Sequence, residues 1–121
     1  MLQLGYTPIY IQMSLTRGQD WVVQIDPAPG AQSPVFPIGT TIVVNIYPST
    51  TDITTPITGW TLLYSWSATF NGDSVILRGP RSDTDSIPGG AFVRVVTTYP
   101  SMSPEPSDTY VWMKGVVIRN D

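Results

Sequence analysis

Apolar residues alternate with polar ones in short runs along most of this chain, and the runs are bounded by proline, glycine, asparagine, aspartate and serine. Thr41 to Tyr47 shows the pattern cleanly. Ile42, Val44 and Ile46 fall on one face, because successive side chains of an extended chain point to opposite sides. The same reading predicts strands at Ile9 to Leu15, where Ile9 and Ile11 share a face, and at Trp21 to Ile25. It continues with Trp60 to Phe70, Ser74 to Leu77, Ala91 to Tyr99 and Tyr110 to Arg119, all rich in β-branched and aromatic residues. No long stretch free of proline and glycine keeps the apolar period of a helix, so helix is expected only as a turn near Asp83 to Ile87.

Turn chemistry links these runs. Asn71-Gly72 tolerates the positive φ angles of a type I′ turn, which predicts a hairpin between the strand ending at Phe70 and the one starting at Ser74. Pro100, Pro104 and Pro106 stop the ladder after Tyr99, so the last two long strands are expected to form a hairpin around a proline-stiffened, exposed loop. The final strand is apolar on both faces: Tyr110, Trp112, Val116 and Ile118 on one, Val111, Met113 and Val117 on the other. It is therefore expected in the middle of a sheet or beneath a partner, with Gly115 as a candidate bulge. The first set, Trp112 above all, forms the candidate interface, with the interior of the domain as the alternative place for Trp112. Together these elements predict an all-β fold: an antiparallel β-sandwich or partly open barrel of about seven to eight strands, in one β domain spanning residues 1–121.

Composition narrows the function. Only 12% of residues are charged while 41% are hydrophobic, which suits a protein packed against neighbours, since free monomers carry more charge. The net charge is −3, and the cations Arg17, Arg78, Arg81, Arg94, Lys114 and Arg119 are scattered, so no basic stripe follows a phosphate backbone and nucleic acid is not an expected partner. Residues Met1 to Tyr10 lack a basic and apolar leader pattern, and no apolar run approaches the roughly 18 residues of a membrane span. Synthesis in the cytosol and no membrane partner are the expectations.

Catalytic chemistry finds few candidates. Histidine and cysteine are both absent, which removes Ser-His-Asp triads, imidazole acid–base catalysis, thiol nucleophiles, disulfides and the usual zinc sites. Asp83 and Asp85 are close enough in sequence to suggest paired carboxylates of a hydrolase, but a solvated turn bonded to backbone accounts for them as well. The same segment lacks the glycine and glutamate that complete a calcium loop. Ser74, Thr61 and Lys114 sit in no nucleophile motif and read as ordinary strand residues. Ile87-Pro88-Gly89-Gly90 lacks the helix and Lys-Ser/Thr of a phosphate loop and reads as a turn. The expectation is no enzyme, no catalytic residue, no cofactor and no metal. The aromatic residues, among them Trp21, Trp60, Trp66 and Trp112, belong either to the core and subunit contacts or to a sugar-binding groove.

Three stretches carry a resemblance: Leu15-Thr16-Arg17-Gly18-Gln19-Asp20, Trp66-Ser67-Ala68-Thr69-Phe70-Asn71-Gly72-Asp73, and Asp85-Ser86-Ile87-Pro88-Gly89-Gly90-Ala91-Phe92-Val93-Arg94-Val95-Val96. With the ending Tyr110 to Arg119, they resemble a family of small β-rich virion proteins of actinobacterial tailed phages, related to long tail fibre components. A looser likeness is to the N-terminal domains of phage baseplate and head-fibre proteins. The resemblance implies a non-enzymatic structural protein of a phage virion, decorating the capsid or attached to the tail. Its implied partners are other virion proteins and copies of itself. The alternative is a host-recognition domain that binds carbohydrate through exposed aromatics such as Trp60 and Trp66.

Overall fold

A computed structural model describes residues 8–27, 29–30, 36–51, 54–56, 59–100 and 109–121. The described residues form strands β1 (Ile9–Leu15), β2 (Trp21–Ile25), β3 (Thr41–Tyr47), β4 (Tyr64–Ser67), β5 (Thr69–Asn71) and β6 (Ser74–Gly79), then the helical turn α1 (Arg81–Thr84), then β7 (Phe92–Thr98) and β8 (Thr109–Arg119). They make a five-stranded sheet in the order β1-β8-β7-β3-β4 and a three-stranded sheet in the order β2-β6-β5. This is an open β-sandwich, so the barrel alternative falls away. The expected proline-rich loop, at residues 101–108, lies outside the described residues.

The alternation read from the sequence becomes the core. Met13, Ile42, Val44, Ile46, Val93, Val95, Met113 and Val117 line the inner face of the larger sheet, and Val75 and Leu77 meet them from the smaller one. Fully burying each such side chain contributes about 1.5–3 kcal/mol, which is what holds the two sheets face to face.

Three features depart from the expected pattern. First, the strand expected at Trp60 to Phe70 is two strands in different sheets. Ala68 N–H donates to the Ile42 carbonyl at 2.7 Å as the last rung to β3, and the chain then crosses to the smaller sheet. Trp60 to Leu63 form no strand. Second, the hairpin loop is Gly72-Asp73, because Asn71 pairs with Ser74. Gly72 has φ +62° while no non-glycine residue among the described residues is positive, the sign pattern of a type II′ turn rather than type I′. Third, among the described residues pairing is antiparallel except that β1 runs parallel to β8.

β8 lies between β1 and β7, inside a sheet as its two apolar faces required. Its bulge is at Trp112 rather than Gly115. Val95 pairs with Met113 and Val96 with Val111, leaving Trp112 as the extra residue. The bulge shifts the side-chain alternation, so the expected common face of Tyr110, Trp112, Val116 and Ile118 does not form. Tyr110 sits opposite buried Thr97, on the core side, whereas Val116 sits opposite Phe92 on the outer side, together with Ile118. Gly115 serves another purpose: a Cβ there would overlap the Ile11 carbonyl, so glycine is what lets β1 close against β8.

Candidate functional site

The Asp83–Asp85 segment that drew attention as a possible acid–base pair is tied into the fold. Asp83 Oδ2 accepts the Trp66 indole N–H at 2.9 Å, and Asp85 Oδ1 accepts the Gly18 backbone N–H at 2.8 Å. Around them the Thr16–Asp20 turn is fastened to α1. Asp20 accepts from the Arg81 backbone N–H at 2.7 Å and from Arg78 at 3.0 Å, and the Thr84 hydroxyl donates to the Gln19 carbonyl. Arg119 closes the cluster, donating through Nη1 to the Thr84 and Ile87 carbonyls at 2.8 Å each, while Asp121 accepts from its Nε at 2.9 Å. The Thr84 carbonyl also accepts the Ile87 backbone N–H at 3.2 Å, and the guanidinium adds charge-assisted bonds across this turn after α1.

Hydrogen bonds set the acidity here. The Arg81 amide holds the Asp20 carboxyl below the ordinary aspartate range, with Arg78 adding to it, and Arg119 does the same to Asp121. Asp26, bonded by Gln24 and Ser74 beside the β5–β6 hairpin, is lowered likewise. Among the described residues no three acidic side chains gather as metal ligands.

The four candidate interface residues separate. Trp112 packs against the buried cluster and meets Phe36 edge-on, ring centres 6.0 Å apart, and Phe36 in turn meets Phe70 of the smaller sheet at 5.8 Å. Tyr110 pairs with Tyr99, hydroxyl to hydroxyl at 3.0 Å. Val116 and Ile118 remain on the outer face of the larger sheet, Val116 exposed.

That outer face holds an open cleft of about 600 Å³, which pattern reading did not anticipate. Phe92, Arg94, Lys114 and Val116 form its floor, with Tyr10 and Trp60 also lining it. Arg94 and Lys114, two of the cations that look scattered along the chain, stand directly opposite each other across β7 and β8. The Arg94 Cζ lies 5.4 Å from the Trp60 ring centre and the Lys114 Nζ 5.0 Å from that of Tyr10. Trp60 is itself braced: its N–H donates to the Thr55 carbonyl at 3.2 Å and its ring meets Tyr47 edge-on at 5.1 Å. Trp66 is enclosed, stacked on Tyr64 with the planes 15° apart, and presents no face to a ligand. A signal for the cation pair exists in the even spacing of outward residues on both strands, but converting it into a contact needs the register that the Trp112 bulge sets.

A family model described as LtfC-like, beta-sandwich domain matches residues 7–120. No curated protein and no solved structure matches the chain.

Proposed function

The chain belongs to the LtfC-like β-sandwich family, related to phage long tail fibres, and on that premise we propose that it is a non-enzymatic structural protein of a tailed-phage virion, made in the host cytoplasm and built into the capsid surface or the tail. The observation that carries this reading is the reach of the family match, which takes in all eight strands and the helical turn. The Leu15–Asp20 and Asp85–Val96 stretches, which suggest an actinobacterial phage, meet in the polar cluster that joins the Thr16–Asp20 turn to α1. Their aspartates act there as hydrogen-bond acceptors that hold the fold together.

Assembly with other virion proteins and with copies of itself draws on exposed apolar surface. Ile38 is 96% exposed and Val22 56%, and Phe70 and Val116 are also open. Val116 and Ile118 supply the outer-face strip, while Trp112 and Tyr110 hold β8 in place from within. Mass spectrometry of purified particles tests the reading: the protein is expected as a component in several copies per particle, and its absence from intact particles sinks it. Sedimentation of an Ile118→Asp variant tests the strip, with association expected to fall while the melting temperature holds. The carbohydrate-binding alternative has one observation in its favour, the braced Trp60 ring beside an open cleft.

A further inference from the structure

Opposed like charges on a sheet face destabilise the pairing they sit on, and a fold keeps such an arrangement where something else compensates it. Arg94 and Lys114 are opposed in this way. Neither forms an ion pair among the described residues, whose ion pairs use Arg17, Arg78 and Arg119. Arg94 Nε is moreover shut off from solvent without a hydrogen-bond acceptor, a further cost that the fold bears at this position. The Trp60 and Tyr10 rings offset part of the repulsion through their negative faces, but they supply no acceptor atom.

The cleft has the size of a small-ligand site and combines two kinds of recognition, cations that call for an anion and aromatic rings that suit an apolar ring face. From this geometry we propose that it binds a carboxylated saccharide, a sugar of the uronic- or sialic-acid type. The carboxylate bridges Arg94 and Lys114, and the C–H face of the pyranose stacks on Trp60 or Tyr10. The bracing of Trp60 by Tyr47 and the Thr55 carbonyl fixes that ring before the ligand arrives, which lowers the ordering cost of binding. A polyphosphate backbone is disfavoured because the remaining cations do not line the cleft. An acidic peptide would use the charges but leave the aromatic walls without a ring to stack on. This role goes beyond virion assembly and does not depend on it, so the test uses the isolated protein.

NMR titration or calorimetry with a panel of uronic- and sialic-acid oligosaccharides, alongside the matching neutral oligosaccharides, hexaglutamate and acetate, tests the site. At least one acidic sugar is expected to bind, with the neutral counterpart weaker by at least about tenfold. Arg94→Gln, Lys114→Gln and Trp60→Ala are each expected to weaken binding by a similar factor. Lys114→Gln removes the like-charge repulsion, so its melting temperature should hold or rise, which separates lost binding from lost folding. Equal binding of the neutral sugars, hexaglutamate binding as tightly as the sugar, or acetate reproducing the full response at the same concentration would each overturn the assignment. So would the absence of binding by every acidic sugar to the folded protein.

Discussion

Gly79→Ala measures how tightly the Trp66 indole is held between the sheets. Gly79 lies outside the positive-φ region, so an alanine in open space there would stabilise by about 0.4–1 kcal/mol through the unfolded chain. Space is what it lacks. A Cβ would lie 2.7 Å from both Cη2 and Cζ3 of Trp66 and 3.1 Å from Thr84 Cγ2. The indole has little room to yield, because its N–H is bonded to Asp83 and its face is stacked on Tyr64. Overpacking costs about 1–3 kcal/mol, and driving the indole off a charged acceptor adds about 1.5–3 kcal/mol. After the backbone gain is subtracted, the expected net loss is about 1.5–5.5 kcal/mol, or a melting temperature lower by roughly 6–22 °C for a domain of this size. Urea denaturation followed by circular dichroism gives the number, and a double-mutant cycle with Trp66→Phe gives its cause. Phenylalanine lacks the outer ring edge that meets Gly79, so the alanine should cost far less in that background. A Gly79→Ala protein that is more stable than the parent, or a cost that is the same in both backgrounds, would refute the reasoning.

Gly72→Val is expected to lose about 1–2 kcal/mol: nothing crowds a Cβ there, so the whole penalty is that of positive φ, and an unchanged denaturation midpoint would contradict the hairpin geometry. Gly115→Ala should push β1 off β8 at a cost of about 1–3 kcal/mol, read as faster hydrogen exchange at Ile11 and Met13; protection equal to the parent would show that the strands are not in this register. Asp20, Asp26 and Asp121 hold their protons more weakly in the fold than the ordinary value of 3.8. The unfolded chain therefore takes up more protons in acid, and the stability they contribute, present above that value, is lost as pH falls through the lowered folded values. Melting temperature should be flat near neutrality and drop below about pH 4, with a shallower drop when all three are changed to Asn; identical acid profiles would deny these carboxylates the role.

Local pattern carried β1, β2 and β3, whose limits are those read from alternation, because a period of two is written residue by residue and one buried face is enough to enforce it. The Gly72 turn was legible for the same reason, since positive φ is a property of a single residue, although its type was not: a one-residue shift of pairing moves Asn71 out of the turn and into the strand. The enclosed role of Trp66 and the attachment of Asp83 and Asp85 were not legible, because each bond joins segments brought together only when the Thr16–Asp20 turn, β4 and α1 meet.

Sequence alone thus determined that this chain is an all-β protein with no imidazole or thiol chemistry, and its resemblance to phage virion proteins agrees with the family that matches residues 7–120. Tertiary structure decided which strands neighbour each other, the parallel pairing of β1 with β8, and the bulge at Trp112 that sends Tyr110 inward and leaves Val116 outside. It also decided that Arg94 and Lys114, far apart in the chain, face each other in one cleft. The physical reason is register: hydrogen bonds between distant strands fix which side chains meet, and a single extra residue in one strand shifts the alternation of every residue beyond it relative to its partner.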